Sequence, residues 1–218
     1  MADLAADVAR SDPGRDGTYR GLLIDFGGVL TTDVFESFRA FCEVEGLEPE
    51  TVRKRFRDDP RGRGLLFELE LGRLSEEEFE PSFAELLGVA HPGLIDRLFG
   101  GMQADDEMVG AVLAARRAGV RTGLISNSWG AGRYDRAQLK ELFDAVVISA
   151  EEGLRKPDPE IYELGAARVG LPASDCVFVD DLPGNLKPAR ELGMATVHHR
   201  RAAESIDALE RLLGVALR

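Results

Sequence analysis

Short apolar runs and amphipathic segments alternate along most of this chain, and this alternation restricts its fold more than any other feature. The runs are too short for helices and end in polar or glycine-containing turns, as buried strands do. We predict strands at 22–24, 120–125, 146–148, 177–179 and 195–197. Strands that alternate with helices pair in parallel through right-handed crossovers. The sequence therefore predicts an α/β fold with a Rossmann-like, doubly wound parallel sheet.

The segment that follows the first strand carries helix signals and no convincing strand. Ser75 and Glu78 have the spacing of a capping box at the start of one of these helices. Arginines and glycines around Arg61 and Arg63 predict a mobile loop that could reach over the strand ends. We therefore expect three units: a flexible extension at 1–17, an α/β core at 18–32 and 105–218, and a helical insertion at 33–104.

The charge composition argues against nucleic acids and anionic membranes as partners. The chain has 27 basic and 39 acidic residues, a net charge of −12, which disfavours binding to nucleic acids or anionic membranes. A phosphorylated ligand would need local positive charge.

Cys42 and Cys176 lie far apart without metal-ligand spacing and are expected to be reduced core residues. With no apolar run long enough to span a membrane and no signal-peptide pattern in residues 1–17, we expect a cytoplasmic protein.

Side chains that carry chemistry follow the predicted strands or lie in the connections between them. They are Asp25, Ser126, Asn127, Lys156, Asp180 and Asp181. The carboxyl ends of parallel strands meet at one edge of the sheet, where open α/β folds bind their ligands. Each residue alone is more typical of a turn or helix cap, but their joint occurrence in this order favours a single crevice.

These residue types suit phosphoryl transfer. Asp25 with Asp180 or Asp181 offers the hard oxygen ligands that Mg²⁺ prefers. Ser126 and nearby backbone N–H groups can hold phosphoryl oxygens, and Lys156 supplies a compact positive charge. A carboxylate in such a site can act as the nucleophile.

The same motifs resemble those of the haloacid dehalogenase (HAD) superfamily of hydrolases, in the form that has an inserted α-helical cap domain of the C1 type. The matching stretches are 22–30, 125–127, 155–159 and 177–181, and the resemblance covers about residues 19–200. Residues 179–190 are particularly similar to the subgroup that contains the N-terminal phosphatase domain of soluble epoxide hydrolase and bacterial glucose-1-phosphate phosphatase.

The resemblance implies a role for each site residue. Asp25 would be the nucleophile and would form a phosphoaspartate. Mg²⁺ would be bound by Asp25, the Gly27 carbonyl oxygen and Asp181, with Asp180 beside the metal or bound to it. The phosphoryl group would be bound by Ser126 and Lys156, with Asn127 helping to orient it or the substrate.

Gly27 departs from the family pattern, because most phosphatases of this family have a second Asp two residues after the nucleophile. That Asp protonates the leaving group and then deprotonates the attacking water, which glycine cannot do. Three interpretations remain: a phosphatase that manages without this acid, a 2-haloacid dehalogenase, and a non-catalytic or regulatory protein that binds a phosphorylated ligand. The intact Asp25 and Lys156 and the Asp180–Asp181 pair favour a phosphatase for a small phosphorylated metabolite, for example a sugar phosphate.

Trp129 and Tyr134 follow the Ser126-Asn127-Ser128 stretch. Two interpretations are equally good for these aromatic residues. They line a substrate pocket, or they pack their loop against the helical insertion.

Overall fold

A computed structural model describes residues 18–218, and the extension predicted at 1–17 lies outside the described residues. Its sheet has five strands, β1 Gly21–Ile24, β2 Arg121–Ser126, β3 Ala145–Ile148, β4 Cys176–Asp180 and β5 Ala195–His198. All neighbouring strands are parallel, and their order is β3-β2-β1-β4-β5. The predicted α/β fold with a doubly wound parallel sheet is therefore confirmed.

Eleven α-helices lie in the described part of the chain. They are α1 Val34–Val44, α2 Thr51–Asp58, α3 Pro60–Glu70, α4 Glu76–Leu87, α5 Leu94–Leu98, α6 Asp106–Arg117, α7 Arg136–Leu142, α8 Ser149–Glu152, α9 Pro159–Arg168, α10 Pro183–Glu191 and α11 Ala202–Leu213. Short 3₁₀ turns occur at Ala131–Arg133 and Ala173–Asp175. Within residues 18–218, no helix is long and apolar enough to cross a lipid bilayer.

The strands are buried on both faces, as the continuous apolar runs predict. In β1, Leu22 and Ile24 pack on one face of the sheet together with side chains of α6, α7 and α11. Leu23 points to the other face and packs with side chains of α9 and α10. Cys176 is buried on this second face and Cys42 is buried among the helices after β1, both without a disulfide. Helices therefore cover both faces of the sheet.

The helices α1–α5 share a separate hydrophobic core, in which Phe79 and Phe83 are fully buried. The chain enters and leaves this group of helices side by side. The Thr32 backbone N–H donates to the Gln103 carbonyl oxygen at 2.8 Å, and the Asp105 N–H donates to Leu30 at 2.9 Å. This close pairing supports our proposal that residues 33–104 form a cap unit inserted into the core at 18–32 and 105–218.

The predicted loop around Arg61 and Arg63 is wrong, because both residues lie in α3. Asp59 caps this helix by accepting hydrogen bonds from the backbone N–H groups of its first turn, and a proline occupies its first position. Gly62 suggests a loop in the sequence, but it allows close packing of α3 on α2. A Cβ there would lie 2.4 Å from the Arg55 carbonyl oxygen.

The end of α3 is attached to the core by polar contacts. The Ser149 hydroxyl donates to the Glu70 carbonyl oxygen at 2.5 Å. The carboxylate of Glu70 pairs with the Arg155 guanidinium at 2.6 Å, and both side chains are largely buried. Arg155 also stacks on the Phe67 ring, with its guanidinium carbon 3.9 Å from the ring centroid. These contacts hold helices α1–α5, which we call the helical unit, over one side of the sheet edge.

We expect Glu70→Ala to lower the free energy of unfolding by about 3 kcal/mol, because it leaves the buried Arg155 guanidinium without its carboxylate. Urea denaturation measures this loss. The matched control is Glu68→Ala in the same helix, where the carboxylate is half exposed and lies 3.4 Å from Arg73. A small and equal loss in both variants would show that the Glu70–Arg155 pair does not fasten the helices to the core.

Candidate active site

The parallel register brings Asp25 and Asp180 to one height at the carboxyl edge of the sheet, with Ser126 one residue further along. Ile24 of β1 pairs with Leu124 of β2 and Val179 of β4. Asp25 therefore emerges between the ends of two neighbouring strands, and its backbone N–H donates to the Val179 carbonyl oxygen at 3.0 Å. Ser126 and Asp180 are the last residues of those two neighbours.

A buried ion network lies at the centre of this edge. The Lys156 Nζ atom lies 2.6 Å from Asp25 Oδ1 and 2.7 Å from Asp180 Oδ2. All three side chains are buried. Burial opposes the charged form of the lysine, but the two carboxylates outweigh this effect and raise the pKa of the Lys156 ammonium group. The lysine therefore stays charged across the neutral range.

Asp180 is held in place by further hydrogen bonds. Its carboxylate accepts from the Asn185 side chain at 3.0 and 3.1 Å and from the Leu182 backbone N–H at 2.8 Å. The Tyr162 hydroxyl in turn donates to the Asn185 carbonyl oxygen at 2.8 Å. With Lys156 as an additional donor, both oxygens of Asp180 have protein partners.

Asp25, Asp180 and Asp181 form an acidic cluster, with one carboxylate oxygen of each within 4.8 Å of the others. Burial and the neighbouring carboxylates raise the pKa of Asp25 to about 8, against the opposing effect of Lys156. Burial and Asp180 raise the pKa of Asp181 to about 7. If all three were ionised, these carboxylates would carry more negative charge than one ammonium group balances. An added cation would be favourable here.

Gly28 lies directly against this cluster. Its φ of +73° is in the left-handed region, and a Cβ there would lie 2.7 Å from Asp181 Oδ2. Glycine therefore lets the loop after β1 pass close to the carboxylate. The three carboxylates and the carbonyl oxygens of this loop are a set of oxygen donors of the type that fits Mg²⁺.

The two polar residues that follow β2 have different surroundings. The Ser126 hydroxyl lies 2.9 Å from the Tyr134 hydroxyl. The Asn127 side chain donates to the Lys156 carbonyl oxygen at 3.0 Å and accepts from the Lys156 N–H at 2.8 Å. Asn127 thus holds the backbone that carries the buried lysine.

A cavity of about 510 Å³ opens between the sheet edge and the helical unit. Of the predicted nucleophile, metal-binding and phosphoryl-binding residues, those that line it are Asp25, Gly27, Ser126, Asn127, Lys156 and Asp181. Asp180 is fully buried and lies beneath the cavity-lining residues Asp25 and Lys156, in contact with Lys156. The roles of these residues in binding or catalysis stay predictions.

Trp129 takes part in both of the arrangements considered above. Its ring packs against aromatic side chains of the helical unit, with centroid distances of 4.9 Å to Phe99 and 5.4 Å to Phe56, and it also lines the cavity. Tyr134 lines the cavity too, where its ring meets Phe26 edge-on at 5.3 Å.

Several cavity residues were missed by sequence reasoning. Arg53 and Arg57 of α2 line the cavity in place of the arginines of α3, and Glu70 lines it at the end of α3. Asn185 lies close to the Asp180–Asp181 pair in sequence, and this position is the signal that could have identified it. The others depend on how the helical unit sits on the core, which no local pattern encodes.

A parallel α/β sheet with an Asp–Lys–Asp network at its carboxyl edge, beneath a helical layer, defines a class of hydrolases. The model of the haloacid dehalogenase-like hydrolase family matches residues 19–193 of this chain. The chain belongs to this family, which makes it a HAD-like hydrolase.

Two relatives and one solved structure illustrate the similarity. Bifunctional epoxide hydrolase 2 of Sus scrofa is 34% identical over 131 residues, which are 57% of this chain and 24% of that protein. This chain therefore spans about a quarter of that relative's length. The sesquiterpene phosphatase astK of Aspergillus oryzae is 26% identical over 208 residues, 90% of this chain and 98% of the relative. A HAD family enzyme of Bacteroides thetaiotaomicron has a TM-score of 0.67 at 23% identity, with 88% of this chain and 98% of that chain covered.

We expect Lys156→Met, in protein freed of divalent cations by a chelator, to lower the free energy of unfolding by about 3–5 kcal/mol near pH 8. Two buried carboxylates lose their ammonium partner. The pKa of Asp25, which burial raises to about 8, then rises further above its unfolded value. A carboxyl group with a raised folded-state pKa contributes less stability as pH rises. The loss should therefore be smaller near pH 5.5, and urea denaturation at both pH values measures the difference.

The control is Lys187→Met on α10, whose ammonium is exposed and lies 3.8 Å from Glu191. This variant should unfold like the original protein at both pH values. A pH-independent loss in Lys156→Met would mean that the lysine stabilises the core by packing alone.

Proposed function

We propose that this protein is a Mg²⁺-dependent phosphatase that acts on a small phosphorylated compound through a phosphoaspartate on Asp25. The observation that carries the proposal is the contact of Asp25 with Lys156 at 2.6 Å, on the floor of a cavity that Ser126 and Asp181 also line. A nucleophilic carboxylate, a cation for the phosphoryl oxygens and a hydroxyl donor thereby share one space. The full-length similarity to a protein named as a phosphatase adds support.

In the first step, a carboxylate oxygen of Asp25 attacks phosphorus, and the bond from phosphorus to the leaving oxygen breaks. The electron pair of that bond goes to the leaving oxygen, which takes a proton from water. A second water then attacks phosphorus, the bond from phosphorus to Asp25 breaks, and its electron pair restores the Asp25 carboxylate. The proton of this water goes to the hydroxide left in the first step, and inorganic phosphate is released. Lys156 and Ser126 hold the phosphoryl oxygens in both steps, and Asn127 keeps the lysine backbone in position.

Asp25, the Gly27 carbonyl oxygen and Asp181 would hold Mg²⁺, which supplies positive charge for the phosphoryl oxygens. The acidic cluster, the raised pKa values of Asp25 and Asp181 and the close approach of Gly28 support this assignment. Asp180 already accepts hydrogen bonds at both oxygens, so we assign it to positioning Lys156.

We expect Mg²⁺-dependent phosphate release from p-nitrophenyl phosphate that falls by about 10³-fold or more in Asp25→Asn, because the nucleophile is lost. Released phosphate is measured with and without a chelator. The control Asp158→Asn changes an exposed carboxylate two residues from Lys156 and should keep full activity.

Each of the other interpretations has its own outcome in this experiment. Chloride release from 2-haloacids without metal would replace the phosphatase with a dehalogenase. Mg²⁺ binding without turnover of any phosphate ester would indicate a non-catalytic protein. Phosphate release that survives Asp25→Asn would remove Asp25 from the nucleophile role.

We expect Gly27→Asp to raise the rate by about 10²–10⁴-fold on alkyl phosphates, whose leaving groups are poor, because it supplies the absent general acid. Gly27 has no positive φ, and a Cβ there would meet Val34 Cγ2 at 3.1 Å. A side chain at this position therefore needs only a small shift of Val34.

The matched control is Gly27→Asn, which has a similar shape and no acidic proton. Rates are compared over a series of esters with leaving groups of increasing pKa. An equal gain in both variants, or a gain that does not grow with leaving-group pKa, would show that the site does not lack a proton donor.

A further inference from the structure

The cavity that begins at Asp25 continues into the helical unit with walls that are mainly apolar. Six of its side chains illustrate this: Phe35, Phe56, Leu66, Phe99, Met102 and Trp129. All of them are half-buried, as expected of side chains that face a cavity. The volume of about 510 Å³ falls in the range of about 300–1,000 Å³ that is typical of small-molecule sites.

From this arrangement we infer that the substrates are phosphate monoesters of extended apolar alcohols. The inference rests on the proposed phosphatase function and names its substrate class. The phosphoryl group would lie on the polar floor at Asp25 and Lys156, and the hydrocarbon part would lie among the aromatic side chains. A sugar phosphate, the example that the sequence suggests, fits these walls poorly.

The polar side chains of the cavity already have partners in the protein. Glu70 pairs with Arg155 at 2.6 Å, and the Asn127 side chain bonds to the Lys156 backbone. Arg133 pairs with Glu76 at 3.0 Å and with Asp96 at 2.7 Å, both in the helical unit. Sugar hydroxyls transferred here would lose water and gain few hydrogen bonds, which is unfavourable.

The two arginines of α2 at the cavity are also engaged. Arg57 forms two hydrogen bonds of 2.7 Å with Asp58. Arg53 stacks over the Phe35 ring, with its guanidinium carbon 4.7 Å from the ring centroid. The side chain of Arg53 thus lies on an apolar wall of the cavity, because a long arginine side chain can pack on apolar surface while its charged end stays exposed.

The test is a series of n-alkyl phosphates from ethyl to decyl, with glucose 6-phosphate and glycerol phosphate for comparison. Each added methylene should lower KM by about two- to fourfold until the cavity is filled. The kcat should stay nearly constant, because this binding energy is the same in the ground state and the transition state. A KM that does not depend on chain length, or a higher kcat/KM for the sugar phosphate, would overturn the inference.

Two variants link the chain-length effect to the cavity. Phe35→Ala removes a wall side chain in the first turn of α1 and should reduce the slope of log KM against chain length. Val44→Ala, at the end of the same helix and 84% exposed, should leave the slope unchanged. Thermal unfolding of both variants checks that the fold persists, and Leu66→Asp provides a second wall variant if Phe35→Ala unfolds. Equal slopes in the wall variants and the control would place the alkyl chain elsewhere.

A binding measurement separates this inference from the proposed function. Trp129 is the single tryptophan of the chain and lines the cavity, so its fluorescence reports an occupant without turnover. Alkylphosphonates, which are not hydrolysed, should change this fluorescence at concentrations that fall with chain length. Chain-length-dependent binding without phosphate release from any ester would overturn the phosphatase and uphold the apolar ligand class. Phosphate release without chain-length-dependent binding would uphold the phosphatase and overturn the apolar substrate class.

Discussion

One buried ammonium group between two carboxylates is the interaction on which the rest of this structure depends. Lys156 contacts Asp25 and Asp180 within 2.7 Å, and none of the three side chains has much access to water. Such a network is stable only if its geometry is fixed from all sides. The parallel register fixes the two aspartates, Asn127 holds the lysine backbone, and Asn185 binds Asp180.

Charge balance connects this network to the proposed chemistry. Asp181 brings a third carboxylate to a cluster that contains one lysine, and burial raises its pKa. A cation would relieve this excess of negative charge, and a phosphoryl group could then approach the carboxylate of Asp25. In a chain with a net charge of −12, the attraction for a phosphate ester has to be local, which is why we assign it to Lys156 and a bound metal.

Local patterns were sufficient for the sheet and for the residues at its edge, because strand ends and turn residues are neighbours in sequence. The same reasoning failed at α3, where Gly62 suggests a loop but serves close helix packing. Glu70 could not be predicted, since its partner Arg155 is 85 positions away in the sequence. The aromatic walls were also hidden, because helical spacing of residues such as Phe35 and Phe56 describes a core and a cavity lining equally well.

The apolar cavity and the glycine at position 27 act on different parts of the proposed reaction. Apolar contacts far from phosphorus bind the ester and its transition state equally, so they lower KM and leave the chemical step unchanged. They cannot compensate for a general acid, whose effect is confined to the transition state. Two combinations are therefore consistent with this site. Either an apolar ester binds tightly and turns over slowly, or the substrate has a leaving group that needs little protonation.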